Sequence, residues 1–421
     1  MLDLDRNLWF LFALNLAVGL AGQIIQPLFP LYLRNLNATE VEIGFVISMA
    51  GFAAMILMLP SGILMDRVGK KRMLLISVIL GAIPPFLIAS MKDWRMVAPF
   101  FMIFNMSFPF FAPARMAIIA ETATPENRAT LFGLMNIAWP IGGIIGPVLS
   151  GYLVDHLGWS YPFLISAAIM AVSLLPTIML KEKKDTSSGG KETPRKTSLK
   201  DRRYLPTLVL FFVLHLTLTI GIGGLNMILP IFLQDQFKLS ASLIGLFFTS
   251  SNIFSLFTQI PSGLLADRYS RKKLIIISLA TISLFIGIWP LIDNWTTLLI
   301  LYSIAYGLWS MTWPASLALL SDSVPPMLRG SAFGVRLTGV RLGFTIGPMI
   351  SGYLYGSSSN LSPFLASAIF LALSVPFALF LRENQKKHGN ESNLSRDGRG
   401  RTSNQFIHRF IKYESFKFRT K

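Results

Sequence analysis

Apolar residues in this chain gather in long, nearly uncharged runs separated by short polar segments. Such runs fall at 8–33, 42–65, 73–91, 96–120, 130–153, 161–180, 204–233, 242–266, 274–292, 296–321, 331–355 and 362–381. A helix needs roughly 20 apolar residues to cross the hydrocarbon of a bilayer, so the pattern predicts twelve spanning helices, spans 1 to 12. Gly and Pro interrupt these runs, which membrane helices tolerate because neighbouring helices satisfy the freed backbone groups. The short alternating segments of a transmembrane β-barrel are absent. The predicted class is all-α integral membrane protein.

The chain also repeats itself. At a constant offset of 201 residues, Gly44 matches Gly245, Pro60-Ser61-Gly62 matches Pro261-Ser262-Gly263, and Pro113-Ala114 matches Pro314-Ala315. Glu121 matches Asp322, Arg128 matches Arg329, Gly146-Pro147 matches Gly347-Pro348, and Ser150-Gly151-Tyr152 matches Ser351-Gly352-Tyr353. A fixed period of this kind is the mark of a duplicated unit. The expected division is a six-helix bundle at 1–180, a cytoplasmic linker at 181–203, a second six-helix bundle at 204–382 in the same membrane orientation, and a basic cytoplasmic tail at 383–421. The linker is rich in charge, Ser, Gly and Thr, as flexible connections are. Within the tail, NQFIHRFIKYESFKF places Phe406, Phe410 and Tyr413 on one helical face. It reads either as a short helix lying on the membrane or as a disordered segment.

Composition supports the membrane reading and removes another. Of 421 residues, 52% are hydrophobic and 14% charged, against about 25% charged in soluble domains. The net charge of +17 would suit nucleic acid, but its placement argues otherwise. With the N-terminus in the cytoplasm, the external loops hold Arg34, Lys92, Arg95 and Lys238, and Arg115, Arg336 and Arg341 lie inside helices. Every other Lys and Arg falls on the cytoplasmic side, which is the positive-inside bias. Both termini are thus expected in the cytoplasm of a multi-pass cell-membrane protein, with anionic lipid head groups as electrostatic neighbours and no nucleic-acid partner. There is no Cys, so disulfide and thiol chemistry are excluded. The start, MLDLDRNLWF, lacks the basic region of a signal peptide, and span 1 is read as retained.

Two basic phrases punctuate the repeat: GILMDRVGKKR (Gly62 to Arg72) between spans 2 and 3, and GLLADRYSRKK (Gly263 to Lys273) between spans 8 and 9. Each residue type has a use. Gly62 would let span 2 approach a neighbour closely, Asp66 can accept charge-assisted hydrogen bonds, and Gly69 suits a turn with positive φ. Twelve helices in two parallel halves with these phrases resemble the major facilitator superfamily over residues 8–381. The first phrase fits the family's loop pattern, with Ile63 in a Leu place; the second departs from it at Ser270. The resemblance implies a cytoplasmic gate formed by Gly62, Asp66, Arg67, Gly69 and Lys70 with Gly263, Asp267 and Arg268. Arg128 and Arg336 are read with that set, Arg336 as a partner of Asp66. Marking a loop for retention in the cytoplasm is the other role open to the phrases. Gly133, Gly142, Gly146-Pro147 and Ser150-Gly151 resemble a motif of proton-driven exporters. Span 11 repeats it as Gly334, Gly343, Gly347-Pro348 and Ser351-Gly352. A mark in both halves also suits plain helix packing, by small residues at four-residue spacing.

A substrate site is expected near the midplane between the halves, and the resemblance lines it with spans 1, 4, 7 and 10. Asn15 and Gln26 in span 1 are eleven residues apart, which puts them within about 20° on one helix face. His215 and Asn226 repeat that spacing in span 7, and Asn105 with Phe108 adds span 4. Tyr302, Tyr306, Trp309 and Trp313 share a face of span 10, suited to stacking on an organic molecule. Each set reads equally as bonding or packing between helices. Arg341, eleven residues into span 11, is the candidate for an anionic group, since an arginine at that depth requires a partner or water. All 21 acidic residues fall in loops, tails or helix ends, so an embedded carboxylate for proton coupling is missing and His215 is the remaining candidate.

Four scattered His, no phosphate-binding loop and no embedded acid pair argue against an enzyme or an ATP-driven pump, and no metal or other cofactor is implied. The sequence reading is a monomeric secondary transporter, working by alternating access, that exports amphipathic organic solutes or drugs. Import or exchange of a small organic anion on Arg341 is the alternative. A channel or sensor is the reading from another class.

Overall fold

The computed structural model describes residues 6–122, 128–181, 203–268, 270–357, 359–381 and 383, leaving aside the side chains at 59, 128–130, 132, 260 and 263–268. The expectations for the linker, the tail helix and the side chains of Arg128, Gly263, Asp267 and Arg268 lie outside the described residues. Among the described residues, fourteen α-helices run in chain order: α1 (Arg6–Ile25), α2 (Phe29–Asn35), α3 (Glu40–Val68), α4 (Lys70–Ile88), α5 (Trp94–Thr122), α6 (Arg128–Leu157), α7 (Ser160–Val172), α8 (Leu174–Met179), α9 (Leu205–Phe237), α10 (Ala241–Arg268), α11 (Arg271–Ile288), α12 (Trp295–Ser323), α13 (Arg329–Ser357) and α14 (Ser362–Phe380).

Two expected spans are broken. Span 1 divides into α1 and α2 at Gln26–Leu28, where Pro27 has no N–H to continue the helical ladder. Span 6 divides into α7 and α8 at Ser173, whose hydroxyl bonds the Met170 carbonyl. Other ends follow local chemistry. Thr39 and Glu42 form a reciprocal capping box at the start of α3. Gly69 ends that helix at φ 96°, the left-handed turn that a glycine permits. Asn37 (φ 63°) and Lys238 (φ 53°), one repeat apart, close α2 and α9 with the same left-handed residue.

Ten of the helical stretches are long and apolar enough to cross a membrane. The two spans that fall short are α12 and α13, at 29 residues each. They have the length but carry the Tyr and Trp face of α12 and the arginines Arg336 and Arg341 of α13, which lower their mean hydropathy. Large apolar side chains such as Phe86, Phe257 and Ile277 point outward, more than half exposed, as lipid-facing residues do.

Packing follows the duplication pair for pair. Within the first repeat α1 lies on α6, α3 and α4 lie on α5, and α4 lies on α7. Within the second, α9 lies on α13, α10 and α11 lie on α12, and α11 lies on α14. The repeats meet through α6 on α10 and its counterpart, α3 on α13. The fold is thus two parallel six-helix repeats.

Glycines make the close contacts. In α6, Cβ atoms at Gly142 and Gly146 would come within 2.8 Å of backbone carbons of Gly19 and Gln23 in α1. In α13, a Cβ at Gly343 would meet the Leu216 carbonyl oxygen at 2.7 Å, and one at Gly347 would meet the Gly224 nitrogen at 2.7 Å, both in α9. The stripes therefore pack inside each repeat. Gly44, Gly151, Gly245 and Gly352 do the same between repeats, against the backbones of Pro348, Ala241, Pro147 and Glu40. Pro147 and Pro348 thus offer their carbonyls to the facing repeat.

Candidate functional site

Among the described residues, the hydrogen bonds between the repeats gather towards one end. The helix junction that carries Lys70, Lys71 and Arg72 marks the basic end. At the opposite end, Arg34 Nη1 of the first repeat donates to Asp235 Oδ1 of the second at 2.7 Å, and Arg34 Nε lies 3.7 Å from Glu40 Oε1. Tyr355 donates its hydroxyl to the other Asp235 oxygen at 2.7 Å. Burial opposes the Arg34 charge, but the hydrogen bond and charge of Asp235, followed by the charge of Glu40, outweigh it and raise its pKa. Asp155, in the last turn of α6, accepts from the backbone N–H groups of Ala241 (3.0 Å) and Ser242 (2.8 Å) at the start of α10. It thereby caps a helix of the other repeat. None of these residues was singled out from sequence, although Arg34 and Asp235, opposite charges one repeat apart, carried the signal.

The basic end is different. Among the described residues, a Cβ at Gly62, Gly133 or Gly334 would meet nothing within 4 Å. The close approach expected at Gly62 is therefore not formed with any described residue. Lys70 pairs with Glu121, and its repeat counterpart Arg271 pairs with Asp322, each inside its own repeat. Lys71 donates to the Ile178 carbonyl, also inside its repeat. Asp66 and Arg67 are exposed. The expected pairing of Asp66 with Arg336 is not formed, because Arg336 is buried and its Nε donates to His215 Nε2 at 2.9 Å.

That bond settles several expectations. His215 is 3% exposed. With Nε2 accepting from Arg336, its proton sits on Nδ1, which lies 2.8 Å from the Phe211 carbonyl oxygen. Neither nitrogen is left for a substrate or a transported proton, so both proposed uses of His215 give way to a bond between α9 and α13. The Arg336 guanidinium also lies 4.7 Å from the centre of the Trp313 ring. Asn15 has a similar fate. Fully buried, it donates to the Met135 carbonyl and accepts from Arg115 Nη1 at 2.8 Å, while Arg115 Nη2 reaches Asn136 at 3.1 Å. Tyr302 is also fully buried, among the rings of Phe247, Phe248, Trp289 and Tyr306. Asn15, His215 and Tyr302 are sealed among helices and offer no surface to a ligand in this conformation.

Other candidates reach open space. A small cleft of about 40 Å³ within the first repeat is lined by Gln26 just beyond α1, by Asn105 and Phe108 of α5, and by Trp139 of α6. Asn105 donates to the Phe101 carbonyl at 2.9 Å, which leaves its amide oxygen. Phe108 meets Trp139 edge-on with ring centres 5.8 Å apart. Arg341 of the second repeat places its guanidinium 4.9 Å from the Phe108 ring centre, beside this cleft. Tyr306 bonds Asn226, and Tyr306, Trp309 and Trp313 continue edge to face down α12. Among the described residues no group of His, Asp or Glu is arranged to hold a metal.

The arrangement is a duplicated helical bundle whose halves pack closely through α3 on α13 and α6 on α10. The family model of the Major Facilitator Superfamily matches residues 11–222 and again 211–414. The chain belongs to the major facilitator superfamily. It is 24% identical over 371 residues to Multidrug resistance protein 1 of Bacillus subtilis (strain 168), covering 87% of this chain and 94% of that protein. It is 25% identical over 385 residues to Quinolone resistance protein NorA of Staphylococcus aureus (strain COL), covering 90% and 96%. In fold it matches a bacterial homolog of the human lysosomal transporter Spinster, in an inward-facing and occupied conformation (TM-score 0.72, 14% identity, 88% and 95% covered). It also matches the nucleoside transporter NupG (TM-score 0.69, 21% identity, 89% and 98% covered).

Proposed function

We propose that this protein is a secondary transporter of the cell membrane that exports amphipathic organic solutes or drugs by alternating access. The observation that carries the reading is the one-sided closure. Gly151, Gly245, Gly44 and Gly352 lock the repeats together at one end, while among the described residues Gly62, Gly133 and Gly334 have no close neighbour at the other. Rocking the two bodies, residues 1–180 and 204–382, about a solute held near the middle would exchange the open end. The basic end is assigned to the cytoplasm, with both termini, by the positive-inside bias, so the conformation described is open to the cytoplasm. The names of the multidrug and quinolone resistance relatives support drugs as cargo and export as direction. The protein is expected to act as a monomer among anionic lipids, with no cofactor or catalytic residue. A second reading, import or exchange of a small organic anion, rests on Arg341 standing beside the cleft with no acidic partner among the described residues.

The test is flux in proteoliposomes of known protein orientation, with a panel of quinolones and lipophilic dyes, with and without an imposed pH gradient. Saturable movement from the basic face to the other supports the proposal. Flux in the reverse direction favours the second reading, and movement of nothing on the panel would overturn both.

A further inference from the structure

Resting on the transporter reading, we infer that the cleft selects its cargo by a carboxylate, and that the class of substrate is an amphipathic aromatic acid rather than a lipophilic cation. The inference starts from charge placement. Every acidic side chain among the described residues lies in a connection or within a turn of a helix end: Glu40 and Glu42 at the start of α3, Asp66 at its end, Glu121 ending α5, Asp155 ending α6, Asp235 ending α9, and Asp322 ending α12, with Asp93, Asp293 and Glu383 between or beyond helices. The interior holds guanidinium groups instead. Arg115 is occupied by Asn15 and Asn136, and Arg336 by His215. Arg341 differs from both. Its guanidinium makes no hydrogen bond or ion pair among the described residues, and its described contact is the face of Phe108 at 4.9 Å. Its nitrogens are not among the sealed, unpartnered atoms, so they keep an accessible side.

A guanidinium at this depth is costly without an anion or water to receive its fork of donors, and the described chain supplies no acid there. What it supplies is a seat for the rest of an aromatic acid. Phe108 and Trp139 form an edge-to-face shelf on the cleft wall, with the amides of Gln26 and Asn105 beside it. A planar carboxylate pairs with the guanidinium, and the ring attached to it lies on the shelf. A cation placed in the same cleft would meet like charge and no carboxylate.

The full-length protein in lipid nanodiscs would be titrated with 2-naphthoate, its methyl ester and tetraphenylphosphonium, reading equilibrium binding by calorimetry. The inference predicts that naphthoate binds at least about tenfold more tightly than the ester, the size expected of one charged hydrogen-bonded pair, and that tetraphenylphosphonium does not displace it. Arg341→Gln should bring acid and ester to equal affinity. Arg341→Lys, which keeps charge but loses the paired donors, should retain part of the preference and serves if the Gln variant does not fold. Ester binding equal to acid, displacement by the cation, an undiminished preference in Arg341→Gln, or no binding of naphthoate would each overturn the inference. Because binding needs no gradient, acid-selective binding with no flux would count against the transport reading alone, and flux of cations without acid-selective binding would count against this inference alone.

Discussion

Arg34 and Asp235 stand at the same place in the two repeats and bond each other, Nη1 to Oδ1 at 2.7 Å. A duplicated bundle brings equivalent positions together where its halves meet around their shared axis, and there the two copies have taken opposite charges. The pair, with Glu40 and Tyr355, ties the end away from the basic loops. Both side chains remain partly exposed, so the link is worth about 1 kcal/mol or less. Arg34→Ala should therefore raise the population open at that end by up to about fivefold. The charge-reversed double variant Arg34→Asp with Asp235→Arg should return it toward wild type, as read by distance measurements between spin labels.

Asp155 supplies a second tie at that end, accepting from Ala241 and Ser242 of the facing repeat. Removing a helix cap costs about 1 kcal/mol. Asp155→Ala should shift the same equilibrium in the same direction, and hydrogen exchange at the amides of Ala241 and Ser242 should accelerate. Unchanged protection there would mean that the cap contributes nothing.

Backbone contact between the repeats makes a sharper test. At Gly352 a Cβ would overlap the Glu40 carbonyl, while at Gly133 it would meet open space. Gly352→Ala should disfavour the described conformation, whereas Gly133→Ala should leave its thermal stability within about 0.5 kcal/mol. Melting of the two purified variants in nanodiscs distinguishes them.

The split between structural and cleft-lining amides is also measurable. His215→Ala would leave the buried Arg336 Nε without its acceptor, at a cost of about 1–3 kcal/mol. Gln26→Ala, on the exposed cleft wall, should change stability by less than about 0.5 kcal/mol and lower solute affinity instead. Equal stability losses would contradict the placement.

The repeat and the polar punctuation of its apolar runs made the architecture legible, because a membrane helix must be apolar along its length and a duplication preserves its glycines. The site was less legible for a geometric reason. Asn15 and Gln26 share a face, but eleven residues separate them by about 16 Å along the helix; one is clasped at a packed level and the other reaches the cleft. Angle alone did not carry depth. Arg341 was found by the cost of burying it, whereas Arg336, costly for the same reason, is met by His215, a partner that spacing along the chain does not reveal. The break at Pro27 was available in the sequence, and the Arg34–Asp235 tie was hidden because the repeat was read for identities rather than for opposite charges at matched positions.

The most direct measurement places spin labels on two pairs of repeat-equivalent residues, in a chain that has no native cysteine. Arg72→Cys with Lys273→Cys reports the basic end, and Asn37→Cys with Lys238→Cys the other. Adding a transported solute under a gradient should shorten the first distance and lengthen the second. Distances that change together, or that stay fixed while solute is carried, would contradict a mechanism in which the two repeats rock against each other.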